Sequence, residues 1–313
     1  MVELNQTAED YHLDVLAEID LTKTRFSPSA SPIVLLCGGK VADSQSAISF
    51  RHALTIHTPL PRYEFFRPEE ITDWKDDGVF YDLLDFEKEL GAICNLIVVI
   101  LESEGAFAEL GAFSQMPDLK GKVCAINSEA FSSLDSFINL GVLRHIEQSS
   151  GIKARVYPWD SSQPEKIDES TVQDAIDDIN EQLTRTRSQH IFNVNNDSHI
   201  ITLIVELIKF FVALKESDIL SYLDVLGIKM KRDLLRRKLF LLEKFRVIIN
   251  KRYSDSSFYL RTSDQFSRIR FGADDNFHFD DLRISMRCKE LYIKEKKHKH
   301  RDRVIKAWER NNG

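Results

Sequence analysis

The run Leu96-Ile97-Val98-Val99-Ile100-Leu101, followed at once by Glu102-Ser103-Glu104-Gly105-Ala106-Phe107-Ala108-Glu109-Leu110-Gly111, decides how this chain folds. Six apolar residues without alternation are the pattern of a strand covered on both faces. The polar, glycine-bearing segment after them predicts a turn and a helix start. In a parallel α/β sheet the ligand crevice lies at the carboxyl ends of the strands. Glu109 is therefore expected in that crevice, in or near the first helical turn, where the helix dipole favours the ionised carboxylate a nucleophile needs. Acidic residues gather in first helical turns for the same dipole reason, so spacing alone leaves the role of Glu109 open. Glu87, Glu102 and Glu104 lie close by in sequence, and neighbouring carboxylates in unlike environments can divide nucleophile and acid/base roles.

Working outward, Ile33-Val34-Leu35-Leu36-Cys37 reads as a strand ending in Gly38-Gly39, and Ser46 to Ile56 as a helix carrying Arg51 and His52. Tyr63 to Phe66 suggests another strand, Val79 to Ile93 an amphipathic helix, and Lys122 to Asn127 a further strand. Strands alternating with helical patterns imply βαβ units and a mainly parallel sheet flanked by helices, a Rossmann-like α/β class. Gly38-Gly39 matches neither GxGxxG nor GxxxxGK[ST]. Such glycines let a ligand approach the backbone, and a tight turn explains them equally well.

The chain has 313 residues, 43% apolar and 29% charged, which is ordinary for a soluble globular protein of two domains. The longest apolar candidate, Ile200 to Leu214, contains Glu206 and Lys209 and reads as a buried helix; no membrane span is expected. The start, Met1-Val2-Glu3-Leu4-Asn5, lacks a basic segment followed by an apolar one, so the expected location is cytoplasmic. Cys37, Cys94, Cys124 and Cys288 are far apart and read as buried thiols, and no metal site is expected. His298 and His300 form an HxH pair in a basic helix and read as a solvated face.

Net charge is −7, but residues 201–313 hold 26 Lys and Arg against 16 Asp and Glu, while residues 1–200 hold 16 against 33. A basic module on an acidic one points to nucleic acid or an acidic protein as partner. The expected organisation is a helix from Ala8 to Thr22 and a linker (1–32), an α/β domain (33–190), a second domain (198–270) and a basic helical tail (271–313). In the second domain, Ser198 to Lys215, Glu216 to Leu226 and Met230 to Phe245 read as helices. Val247-Ile248-Ile249 and Phe258-Tyr259-Leu260 read as a hairpin around Ser254-Asp255-Ser256-Ser257, so the order predicts a winged helix-turn-helix α+β domain. Its third helix carries Lys231, Arg232, Arg236, Arg237, Lys238 and Lys244. These could lie in a major groove, face a protein, or be solvated. In the tail, Lys294, Lys297 and Arg301 are further candidates for phosphate contact.

Residues 33 to about 147 resemble the nucleoside 2-deoxyribosyltransferase-like domain of bacterial retron effectors. The blocks are Leu36-Cys37-Gly38-Gly39, Phe50-Arg51-His52, Phe66-Arg67-Pro68-Glu69, Glu102-Ser103 with Gly105, Glu109-Leu110-Gly111-Ala112-Phe113-Ser114, and Ser136-Phe137-Ile138-Asn139. The resemblance implies that Glu109 is the nucleophile at the anomeric carbon and that Asn139 reaches a neighbouring subunit's sugar, hence at least a dimer. Typical deoxyribosyltransferases carry an aspartate before the glycine and a threonine after it; here stand Glu102-Ser103-Glu104 and Ala106, which departs from a base-exchange enzyme. It further implies an N-glycosidase toxin for NAD or related nucleotides in antiphage defence, needing no cofactor, with a winged-helix-like C-terminal part. Its restraining partners would be a reverse transcriptase and its multicopy single-stranded DNA/RNA.

By analogy with paired carboxylates in glycoside hydrolysis, Glu102 or Glu87 would orient hydroxyls or handle protons. Gly38 and Gly39 would border phosphates with Arg51 as charge partner, and Glu69, Ser103 and Gly105 would complete the substrate site. The rival reading is a nucleotide-sensing, non-catalytic DNA-binding regulator. A structural subunit of a reverse transcriptase complex is compatible with the first.

Overall fold

The computed structural model describes residues 6–56, 63–73, 78–186, 188–263, 265–273 and 277–312. Met1 to Asn5, on which the reading of the chain's start rests, lie outside the described residues. Two compact units emerge, residues 28–188 and residues 1–27 with 189–313.

The chain begins with α1 (Ala8–Ala17), fixed at its start by a capping box in which Thr7 and Asp10 bond reciprocally. The expected helix to Thr22 stops early, because β1 (Asp20–Ser27) follows. Threonines at 22 and 24 favour extended backbone, and Thr24 and Phe26 alternate inward. Residues 1–27 belong with the C-terminal half rather than forming a helix and linker of their own.

The unit 28–188 contains β2 (Ile33–Cys37), α2 (Phe50–Ile56), β3 (Glu64–Phe66), α3 (Leu83–Ile93), β4 (Leu96–Ile100), α4 (Glu104–Ser114), β5 (Val123–Ser128) and the short α5 (Glu129–Ser132). A π-helical stretch, Ile138–Leu143, runs into α6 (Arg144–Ser150), and β6 (Arg155–Tyr157) and α7 (Glu169–Arg185) close the unit. All five strands are parallel, in the order β3-β2-β4-β5-β6. The apolar run is thus the central strand, and every residue of β4 is buried. The strand order reverses between β2 and β4, the place where a doubly wound sheet opens its crevice. Short, half-polar β6 gave no sequence signal; it is an edge strand defined only by its pairing with β5.

The other unit continues with β7 (His190–Ile191), α8 (Asp197–Phe210), α9 (Glu216–Val225), α10 (Arg232–Lys244), β8 (Ile248–Tyr253), β9 (Ser256–Arg261), β10 (Arg268–Gly272), α11 (Asp281–Lys294) and α12 (Lys299–Asn312). The expected order of three helices and a hairpin is present, with β8 and β9 antiparallel and the turn at Ser254-Asp255. A second antiparallel sheet, β10-β1-β7, joins segments more than 150 residues apart. His12 of α1 is buried and bonds the hydroxyls of Tyr222 on α9 and Tyr292 on α11, at 2.5 and 2.9 Å. No helix of the described residues is long and apolar enough to cross a membrane.

Candidate active site

At the carboxyl ends of β2 and β4 lies a cavity of about 430 Å³ lined by Cys37, Arg51, Glu69, Glu87 and Glu109, with Pro68, Ile71 and Leu83 among its apolar walls. Three carboxylates, one guanidinium and one thiol therefore converge from five segments. The four cysteines are buried free thiols, as expected, and Cys37 is the one on this wall.

Glu109 is the sixth residue of α4, in its second turn, just past the first turn that it was expected to lie in or near. Its carboxyl pKa lies above the usual value, the reverse of the dipole expectation. Burial raises it, while Arg51 and a hydrogen bond from the Cys37 thiol oppose the rise. Its Oε2 is buried and has no hydrogen-bond partner. A buried carboxylate oxygen left unpaired is costly, and such an oxygen facing a cavity is available to a ligand.

Glu87, on the inward face of α3, is buried, and its pKa is pushed up to about 8 by burial and then by the charges of Glu109 and Glu69. It is a neutral acid at pH 7. Glu69 sits in the 3₁₀ turn Pro68–Glu70 and pairs with Arg51 Nη2 at 2.8 Å. Burial raises its pKa, but the hydrogen bond from Arg51 prevails and the net shift is downward. Arg51 also donates from Nη1 to the Gly39 carbonyl at 3.3 Å.

Glu102 turns away from this group. Its Oε1 accepts the amides of Gly39 and Arg51 at 2.8 and 3.0 Å, and Oε2 accepts that of Phe50 at 2.7 Å. A Cβ on Gly39 would come within 2.9 Å of the Glu102 carboxyl carbon and 2.7 Å of Ser49 Cβ, so glycine is required by close approach. The Gly39 amide expected to border a phosphate is already committed. Ser103 caps α4, accepting from the Ala106 amide at 3.2 Å, and donates to the Gly38 carbonyl at 3.3 Å. Gly105 has open space where a side chain would be. Asn139 is the second residue of the π-helical stretch, and its Nδ2 donates to the carbonyls of Phe131 and Leu134 at 2.7 and 2.8 Å. It does not line the cavity.

The structure thus gathers Glu109, Glu87, Glu69 and Arg51, and places Glu102, Gly38, Gly39 and Ser103 in the turn behind them. Sequence reading assigned no role to Cys37; its signal was its place as the last residue of a strand facing the switch point.

In the C-terminal half the basic candidates separate. Arg232 and Arg236 both approach Glu216, at 3.7 and 3.2 Å. Lys238 is fully buried against Asp197 at 3.0 Å. Arg237 is half-buried and Lys294 is exposed. Lys297 pairs with Glu9 and Glu295. Arg301 is buried, bonded to Asp218 and stacked at 4.8 Å on Tyr292, which withdraws it from any external phosphate. His298 is buried rather than solvated, and with Glu9 and Glu295 forms a set with metal-ligand spacing. The Lys297 ammonium already supplies the cation there.

A family profile described as STM3845 retron effector protein matches residues 47–251. The Retron Ec86 candidate ribosyltransferase/DNA-binding protein of Escherichia coli is 37% identical over 128 residues, 40% of this chain and 41% of that protein. The Retron Ec73 candidate ribosyltransferase/DNA-binding protein of Escherichia coli is 29% identical over 140 residues, 42% and 43% of the two chains. The matches thus span about two fifths of the length of these curated relatives.

Proposed function

Because this chain belongs to the retron effector family, we propose that it is an N-glycosidase that breaks the bond between a ribose-like sugar and its base, with NAD as favoured substrate. The observation that carries this reading is the unpartnered Glu109 oxygen in a cavity shared with Glu87, a carboxyl held neutral. The relatives' names, which pair ribosyltransferase with DNA binding, agree with glycosyl-transfer chemistry.

In the proposed step the carbon–nitrogen bond breaks and its electron pair leaves with the base, giving an oxocarbenium-like state at the anomeric carbon. Ionised Glu109 stabilises or captures that carbon, and water later completes hydrolysis. The nicotinamide of NAD departs neutral and needs no proton, so with NAD the Glu87 carboxyl serves to orient sugar hydroxyls. With an uncharged nucleoside it would protonate the leaving base. The carboxylate-rich cavity suits a cationic leaving ring.

The segment around Asn139 exposes Phe131, Leu134, Phe137 and Leu140, with Phe137 81% exposed. Such an apolar face supports the reading that the active form is at least a dimer. The helices α8, α9 and α10 followed by the β8-β9 hairpin support a winged-helix reading, and the excess of cations beyond residue 200 supports contact with the retron's nucleic acid. The proposed partners are the reverse transcriptase and its branched DNA/RNA, which hold the enzyme inactive.

The test incubates the purified protein separately with NAD and a panel of nucleosides and follows released base by chromatography. Release is expected from wild type, and Glu109→Gln is expected to lower it about 100- to 1,000-fold with the fold intact. Near-wild-type release by a folded Glu109→Gln protein overturns the assignment; ligand binding without any release indicates a sensor.

A further inference from the structure

We infer that Glu102 is a positioning residue, which fixes the start of α2 and so holds the Arg51 guanidinium in the cavity beside Glu109. The inference rests on the functional reading above only for its consequence in catalysis.

The geometry is direct. One carboxylate accepts three backbone amides, Gly39 at the end of β2 and Phe50 and Arg51 at the start of α2, all between 2.7 and 3.0 Å. These two points of chain are eleven residues apart and joined by a largely exposed loop, so Glu102 ties the turn to the helix. Charge-assisted bonds of this kind are about twice as strong as neutral ones. The residue tied is the one that matters: Arg51, 5% exposed, reaches from this anchor to Glu69. Both carboxylate oxygens of Glu102 are engaged by backbone amides, and its side chain does not line the cavity.

Among the described residues, the charged and titratable groups facing Glu109 are Cys37 from β2, Arg51 from α2, Glu69 from the 3₁₀ turn and Glu87 from α3. Arg51 alone is cationic. Its charge opposes the effect of burial on Glu109 and favours the ionised form. If the anchor is lost, Arg51 gains freedom and Glu109 titrates higher. An opposite charge at close range typically lowers a carboxyl pKa by about 1 to 3 units, so partial loss is expected to raise it by roughly one.

The experiment follows the Glu109 carboxyl by carbon-13 NMR through a pH titration, alongside the acidic limb of base release. The chains compared are wild type, Glu102→Gln and Gly39→Ala, the last chosen because its new Cβ displaces the Glu102 carboxylate without removing its charge. Both variants are expected to move the midpoint and the acidic limb upward together, by about one pH unit. Folded variants with an unchanged midpoint overturn the inference. In wild type itself, the amides of Gly39, Phe50 and Arg51 are expected to be protected from hydrogen exchange; fast exchange at all three overturns it even if neither variant folds. A shifted midpoint in a protein that releases no base would sustain the positioning role and overturn the glycosidase reading instead.

Discussion

At the scale of single residues, function turns on two glutamates whose environments differ in kind. Glu109 has Arg51 and the Cys37 thiol against burial, whereas Glu87 has burial and two neighbouring carboxylates all acting in one direction. Base release from an uncharged nucleoside is therefore expected to follow a bell-shaped pH profile. It rises as Glu109 ionises above the ordinary carboxyl range and falls as Glu87 loses its proton near pH 8. Glu87→Gln should abolish the alkaline fall, and release by that variant that still declines near pH 8 would assign the limb to another group. Stability carries the same signature. Because the folded pKa of Glu87 is above its unfolded value, the folded state holds the extra proton between about pH 4.5 and 8, and stability falls as pH rises through that window. Relative to wild type, Glu87→Gln should gain stability between pH 5 and pH 8, on the order of a few kcal/mol, measured by urea unfolding at both values.

At the scale of elements, the two helices that carry candidate chemistry differ in how far their sequence tells their role. The start of α4 was legible, because a buried strand followed by Ser103 and a glycine marks a turn and cap; Glu109 lies in its second turn, close to where it was expected. The basic helix α10 shows cations in number but not in availability. Lys238 is fully buried against Asp197, and two of its arginines share Glu216. Lys238→Ala should then destabilise the unit by about 3 to 5 kcal/mol, since the Asp197 charge is left half-buried and unpaired. An exposed phosphate contact at that position would instead weaken binding and leave thermal unfolding unchanged. The N-terminal helix is a structural member: burial lowers the His12 pKa to about 3, so it is neutral when it bonds Tyr222 and Tyr292. A chain lacking residues 1–27 should keep the 28–188 unit folded while the other loses stability; two thermal transitions with only one lowered would show it, and a common loss would contradict it.

At the scale of the whole molecule, restraint and assembly remain to be tested on intact chains. Mixing inactive Glu109→Gln with inactive Asn139→Ala chains should recover base release if the site is shared between subunits; mixed dimers without recovery would exclude sharing. If the proposed reverse transcriptase complex is the partner, affinity for it should fall with salt, by about 0.7 log units per log unit of salt for each single-strand phosphate neutralised. Reversing Arg232, Arg236 and Lys294 should flatten that slope, while reversing buried Arg301 should unfold its surroundings. A slope unmoved by the three reversals would place restraint in protein contacts. The sequence by itself determined the α/β class, the central strand, the order of the later helices and hairpin, and the blocks that include Glu109, Arg51 and Glu69. These follow from local periodicity and from residue types in fixed order. Only the tertiary structure decided that residues 1–27 join the C-terminal half, that Glu102 serves the backbone, that Cys37 touches the nucleophile candidate, and which cations are free. Each of these depends on partners distant in sequence, and no local pattern encodes whether a charge will meet solvent, a carboxylate or a buried amide.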